Sequence, residues 1–412
     1  MKKILYYLYF LIPFVYLGCK EQGRIDQIDD SIPAPKAVSI KEVKSTPGGA
    51  VIKYNIPNDD NLLGVKVVYT RNGILSESKS SRYVDSLVVE GFGNTDSQEV
   101  KLYSVGINGK LSEGVSTTIN PLTPPVQSVK FDLESSFGGV IVSIKENYSN
   151  ADLAIVLMAD TANTSQWSDL QTFHTQSASM KFARRGLDPK PNKFAAYLRD
   201  RWGNFSDTIF ETLTPIEEVK LPKTNFRNAA LPTDYFVTAE GSHAYRLEQL
   251  WLGPEAADGN FYATSHSGPM PQWFTIDLGH KMSISRIQKW PRSEYELYTS
   301  VAPRVFQVWG SSNPNPDGSW DDSWQLLGEF EQFKPSGYGE GREVGPVTDE
   351  DRDYWYNRTE FELIPTEQAP NPYQTVTHLR FKVLSTFGTY GTEATMSQVI
   401  IGELTFWGQL KD

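Results

Sequence analysis

Three stretches near the C-terminal end carry the side chains that could do chemistry in this chain. Residues 258–270 hold Tyr262 and His266, the stretch after Trp290 holds Arg292, Tyr295 and Tyr298, and a late stretch holds Phe387 and Tyr390. A sugar ring presents a flat C–H face ringed by hydroxyls, so its recognition needs an aromatic platform beside polar donors and acceptors. Together the three stretches contain both. Residues 333–358 add Tyr338, Tyr354, Trp355 and Tyr356 among glycines and acidic residues, and either extend such a site or cover a sheet edge.

Catalytic motifs are missing. The sequence has no His-Glu-x-x-His, no Gly-x-Ser-x-Gly and no Gly-rich phosphate loop. A single cysteine, Cys19, rules out an intramolecular disulfide and a thiolate metal cluster. Asp and Glu are abundant, and the spacing of a catalytic carboxylate pair is set only in three dimensions, so a glycoside-active enzyme remains a second alternative. The net charge of −11 over 412 residues would repel phosphate backbones, which argues against nucleic acid as a partner.

These stretches must be positioned by β-structure, and the chain is long enough for several units. At the N-terminus, Lys2 and Lys3 precede an apolar run from Ile4 to Leu17 that is too short for a comfortable membrane span. The run ends in Leu17-Gly18-Cys19, which resembles the bacterial lipobox. That resemblance implies cleavage after residue 18 and a lipid-anchored Cys19, with residues 19–35 as a tether. Lys20, where an aspartate would resemble an inner-membrane retention signal, points to the outer membrane.

Two internal repeats follow. Pro35, Gly48 and Gly49 recur 90 residues later as Pro125, Gly138 and Gly139, and Tyr103, Gly109 and Ser112 recur 94 residues later as Tyr197, Gly203 and Ser206. Thr123-Pro124 and Thr214-Pro215 read as the ends of the two units. Short apolar runs between Gly, Asn and Asp turns predict an all-β sandwich over 36–121 and a second over 122–215. Their pattern looks like fibronectin type III or immunoglobulin-like modules. Arg184-Arg185 and Arg199-Asp200-Arg201-Trp202 read as a solvated strand edge with Arg stacked on Trp, in preference to a basic aromatic patch.

Glu217 to Lys223 reads as a charged linker, and residues 222–412 form a different unit that holds eight of the ten tryptophans. In Leu379-Arg380-Phe381-Lys382-Val383, alternation assigns Leu379, Phe381 and Val383 to a core and Arg380 and Lys382 to solvent. Trp273, Trp309, Trp324 and Trp407 fall in strand-like runs and read as core packing. Six ordered blocks, among them Pro271-Gln272-Trp273-Phe274-Thr275-Ile276-Asp277-Leu278-Gly279, Pro303-Arg304-Val305-Phe306-Gln307-Val308-Trp309-Gly310-Ser311 and Glu403-Leu404-Thr405-Phe406-Trp407-Gly408, resemble discoidin (coagulation factor type C) domains, which are galactose-binding-like jelly rolls.

The lipobox, two sandwiches and discoidin-like end together resemble a family of surface lipoproteins from glycan-degrading Gram-negative bacteria. That resemblance implies a lipid-anchored, surface-exposed, non-catalytic protein that binds carbohydrate and partners with outer-membrane glycan-uptake proteins. It places His266 and Arg292 in loops where sugar-binding relatives make polar contacts. It also implies a structural calcium ion held by Asp258, within Asp258-Gly259-Asn260, and by Glu403, although Ala263 stands where the pattern has threonine. A spacer or protein-binding adhesin is the first alternative, because tandem sandwiches serve that purpose too.

Overall fold

The computed structural model describes residues 31–160, 164–235, 245–252, 261–293, 297–338, 344–358 and 360–411. Cys19, Asp258 and Tyr295 lie outside the described residues. The fold is all-β, with helices reduced to single turns such as Pro125–Ser128 and Asp349–Asp353. Among the described residues no helix is long and apolar enough to cross a membrane.

The first unit consists of β1 (Ser39–Thr46), β2 (Gly49–Asn55), β3 (Leu62–Arg71), β4 (Ile74–Ser81), β5 (Ser86–Glu90), β6 (Gln98–Gly106) and β7 (Val115–Ile119). They form two sheets, ordered β1-β2-β5 and β4-β3-β6-β7. Inward residues such as Ile52, Val65, Val67, Val89 and Leu102 meet in one buried cluster between the sheets. The second unit has β8 (Lys130–Ser136), β9 (Gly139–Lys145), β10 (Leu153–Asp160), β11 (Ser168–Thr175), β12 (Met180–Arg184), β13 (Asn192–Asp200) and β14 (Ile209–Leu213). Its sheets, β12-β9-β8 and β11-β10-β13-β14, repeat the first unit's strand order around a separate core.

The repeated residues have matching structural jobs. Gly48 and Gly138 turn the β1–β2 and β8–β9 hairpins with φ of +66° and +62°, which favours glycine. A Cβ on the following Gly49 or Gly139 would lie 2.0 Å from Val89 O or 1.7 Å from Arg184 O, on the neighbouring strand. Ser112 Oγ accepts from Ser104 N at 2.9 Å, and Ser206 Oγ accepts from Leu198 N at 2.8 Å, each pinning the loop after a strand. The unit ends differ from the sequence reading. Leu122 and Ile216 donate back to Thr46 O and Ser136 O, so Pro121-Leu122 and Pro215-Ile216 are the equivalent exits, not Thr123-Pro124 and Thr214-Pro215.

The third unit contains β15 (Val219–Lys220), β16 (Arg227–Asn228), β17 (Tyr262–Ala263), β18 (Gln272–Trp290), β19 (Pro303–Ser311), β20 (Gln325–Glu331), β21 (Phe361–Glu362), β22 (Thr375–Thr386), β23 (Ile400–Ile401) and β24 (Glu403–Lys411). Its main sheet runs β15-β24-β18-β22-β19-β20, with β16 and β21 also on β18. The long β18 breaks register between Asp277 and Met282, where Gly279 has φ +68° and Asp277 Oδ1 accepts its N–H at 2.9 Å. The core stacks Phe274 on Phe381 and Phe381 on Phe306, with centroids 5.5 and 4.6 Å apart.

Four sequence expectations need correction here. Glu217 to Lys223 is not a linker: Val219 and Lys220 pair with Gly408 and Trp407, and Leu221 is in the third core. Arg380 does not face solvent. The 312–324 connection folds over the outer face of β18, β22 and β19, and Trp320 and Trp324 lie 4.5 and 4.1 Å from its guanidinium. Arg380 Nε donates to Thr275 Oγ1 at 3.0 Å and Nη2 to Gly318 O at 3.2 Å. Trp273, Trp309 and Trp407 are outside the apolar core, because they pack on this opposite face, where Lys382 lies over Trp273 and Trp320, Trp309 stands against Trp320 and Arg286 lies over Trp407, while Trp324 is buried beside Arg380. Arg185 is not on a solvated strand edge, since its side chain is 11% exposed and reaches Glu362 of the third unit, whereas Arg201 is 58% exposed and stacks on Trp202 at 4.4 Å as expected, while also pairing with Glu90 of the first unit.

Candidate functional site

Three segments of the third unit are laced together by hydrogen bonds that no single stretch could supply. Ser397 N donates to Gly268 O at 2.9 Å, and Val399 N to Thr264 Oγ1 at 2.8 Å, joining the 261–268 and 386–401 segments. Gly388 N donates to Ser300 O at 3.0 Å and Phe387 N to Ala302 O at 3.1 Å, adding the 297–302 segment. Within the late loop, Thr386 N donates to Thr389 Oγ1 at 2.9 Å and Thr386 Oγ1 lies 3.1 Å from Ser397 Oγ. Such cross-bonding fixes loop backbones as a packed element would.

The three segments enclose a cleft of about 290 Å³, lined by His266, Ser300, Thr389, Met396, Ser397 and Gln398 among others. Hydroxyl, amide and imidazole groups supply donors and acceptors, and the exposed Met396 supplies an apolar surface. Beside the late loop, Tyr390 is 40% exposed, and its ring lies 3.5 Å from the guanidinium carbon of Arg304. Tyr338 covers the other contact of that guanidinium at 4.2 Å. Glu331 Oε1 accepts from Arg304 Nε and Nη2 at 2.9 and 2.7 Å, so the planar group is held between two phenol rings.

The expected site residues divide accordingly. His266 lines the cleft and Tyr390 belongs to the loop that forms its wall. Tyr298 and Phe387 do not line the cleft: both are buried in a small cluster with Trp355. The Tyr298 ring stands edge-on to Trp355 at 4.7 Å and to Phe387 at 5.5 Å, while its hydroxyl donates to Asp351 O at 3.0 Å. Arg292 stacks over Phe261 at 4.1 Å and does not line the cleft. From the 333–358 stretch, Trp355 is buried in the cluster with Tyr298 and Phe387, and Val344, Val347 and Tyr356 pack against it. Burial raises the Asp351 carboxyl, but hydrogen bonds from Thr348, Ser336 and Lys334 outweigh it and hold the group well below the usual range.

Of the expected calcium ligands only Glu403 can be placed, and its Oε1 carries the Lys223 ammonium and the Thr405 hydroxyl. Among the described residues no three His, Cys, Asp or Glu side chains gather as a metal site.

Sequence reasoning missed Arg304, Ser300, Thr389, Met396 and Gln398. Arg304 was hidden within a strand block, although its place at the strand's start brings it to the loop end. The others are small or unbranched side chains with no compositional signal, and they become a site only through the cross-bonds between loops.

Three family models match, each described as a domain of unknown function: DUF4959 over residues 35–121, DUF5126 over 122–224 and DUF5000 over 254–408. No functionally curated protein matches the chain. Among solved structures, the chain is similar to a SusE-like protein at 28% identity, covering 70% of this chain and 100% of that one, with a TM-score of 0.43. It is also similar to a putative chitobiase fragment from Bacteroides thetaiotaomicron at 14% identity, covering 47% and 95%, with a TM-score of 0.31. A two-domain fibronectin type III segment from chicken tenascin follows at 11% identity, covering 44% and 99%, with a TM-score of 0.21.

Proposed function

We propose that this chain is a surface lipoprotein, anchored through Cys19 at the outer membrane, that binds carbohydrate without turnover through its discoidin-like third unit and assists glycan uptake. One observation carries the binding reading: His266 and the Thr389-Tyr390 loop, 123 or more residues apart in sequence, meet at one polar cleft beside the Tyr338–Arg304–Tyr390 stack. Hydroxyl and amide groups beside exposed tyrosine faces match the mixed surface of a sugar ring. Among the described residues no Asp, Glu, Lys or Arg lines the cleft, which suits a neutral ligand. The two sandwiches and their polar junctions suit a stalk that presents this end to polymers.

The test is a glycan array with residues 20–412, followed by calorimetry on each hit. Binding that Tyr390→Ala weakens about tenfold, or ~1.4 kcal/mol, supports the reading. Binding to a purified outer-membrane partner and to no glycan would establish the adhesin alternative instead, and glycan turnover would establish the enzyme alternative.

A further inference from the structure

The junction between the first two units holds a second cleft, of about 510 Å³, within the range of small-molecule sites. Its lining includes the carboxamides of Asn72, Asn94, Gln98, Gln127 and Asn204 and the ring of Phe205, and among the described residues no ionisable side chain. We infer that this cleft binds a neutral glycan, at a site separate from the third unit and contributed by two units at once.

Four of the five amides are held by hydrogen bonds. Asn204 Nδ2 donates to Gly91 O at 3.0 Å and to Asp200 Oδ2 at 2.8 Å, and Asn204 Oδ1 accepts from Asn72 Nδ2 at 2.9 Å. Gln127 Nε2 donates to Gly93 O at 2.6 Å, and Asn94 Nδ2 to Asp96 Oδ2 at 2.6 Å. Each amide retains acceptor or donor capacity beyond these bonds, and Gln98 spends none on another described residue. Phe205 is 52% exposed and leans edge-on against Tyr197 at 5.8 Å, leaving ring surface open at the cleft.

The chemistry selects the ligand class. A phosphate or carboxylate would want a cation in the lining, and a metal ion would want carboxylates; neither is there. A peptide would want apolar pockets for its side chains, whereas the lining offers one exposed ring. Fixed carboxamides with donors and acceptors beside that ring fit vicinal hydroxyls and a C–H face. Because Asn72, Asn94 and Gln98 come from one unit and Gln127, Asn204 and Phe205 from the segment beyond residue 121, a bound glycan would also brace the junction.

The experiment uses residues 20–412 carrying His266→Ala and Tyr390→Ala, so that the third unit's cleft is disabled. Maltohexaose, xylohexaose, laminarihexaose and mannohexaose are titrated by calorimetry into this background and into further variants with Phe205→Ala or Gln98→Ala. At least one oligosaccharide should bind the background, and each added substitution should weaken it about fivefold or more without lowering the melting temperature. Binding to none of the four overturns the inference, and so does binding that neither substitution changes. Binding by the unsubstituted chain that disappears in the background supports the third unit's cleft and overturns this one.

Discussion

Arg185 Nη1 lies 2.8 Å from Glu218 Oε1, and the two side chains, 11% and 7% exposed, lock the second unit to the third. Arg185 also reaches Glu362 at 3.0 Å and Phe137 O at 2.7 Å, while the other oxygen of Glu218 meets Arg286 at 3.1 Å. Tyr373 of the third unit packs edge-on against Phe137 of the second at 5.0 Å. The junction is thus an alternation of charges around a small aromatic contact. Ion pairs of this kind need their geometry: when one partner is lost, the other stays buried and uncompensated.

Glu218→Ala should therefore destabilise the chain by about 1 to 3 kcal/mol, since it leaves Arg185 with Glu362 alone and Arg286 with Glu360 alone. Urea unfolding followed by tryptophan fluorescence reads this directly, because eight of the ten tryptophans lie from Trp251 onward. A midpoint equal to that of the unsubstituted chain would show the pair to be dispensable.

The two repeated serines predict a smaller effect. Ser112→Ala leaves the buried Ser104 N–H without its acceptor, and Ser206→Ala does the same to Leu198 N–H. Each should cost about 1 to 2 kcal/mol, by its effect on its own unit. A double variant should show additive losses, because the two sites belong to separate cores. Strong coupling between them in chemical denaturation would contradict that separation.

These serines also show what was legible in the sequence. Gly48-Gly49, Ser112 and their counterparts stood out because a left-handed turn, a close approach and a loop acceptor each admit few residue types. The all-β fold followed from alternation. Alternation failed at Arg380, because strand periodicity says which residues share a face but not whether another segment covers that face. It failed likewise for Arg185 and Glu218, whose role depends on a contact between units. At the candidate site, His266 and Tyr390 were legible as unusual types in loops, whereas Tyr298 and Phe387 were indistinguishable from them until packing placed both inside.

Lys289 gives a prediction about pH. Its side chain is buried, with Nζ 4.2 Å from the Trp355 ring, and burial pushes its pKa down from 10.5 to about 7. Between those values the unfolded chain binds the proton and the folded chain does not. This group's contribution to stability therefore rises with pH from about 7 towards 10, and is least favourable and flat below 7. Lys289→Met should stabilise the third unit most at pH 6.5, with an advantage that shrinks by pH 9.5. Urea midpoints at those two pH values check it, and parallel shifts at both would sink it.

The candidate cleft gives the last prediction. Arg304 is not itself a lining residue, but its guanidinium separates the Tyr338 and Tyr390 rings at 4.2 and 3.5 Å and is anchored twice on Glu331. If the stack holds Tyr390 as a rigid platform, its removal should lower glycan affinity through ordering cost rather than through a lost contact. Arg304→Ala should then weaken binding about fivefold, with folding stability changed by about 1 kcal/mol or less, because Glu331 remains solvated. Arg304→Lys should not restore affinity, since an ammonium lacks the plane that both rings stack on. His266→Ala should act differently, removing a polar partner in the cleft and reducing the binding enthalpy. Calorimetry on the four proteins separates the cases: an Arg304→Lys variant with full affinity would show that charge alone matters, and an Arg304→Ala variant with full affinity would remove the aromatic stack from the site.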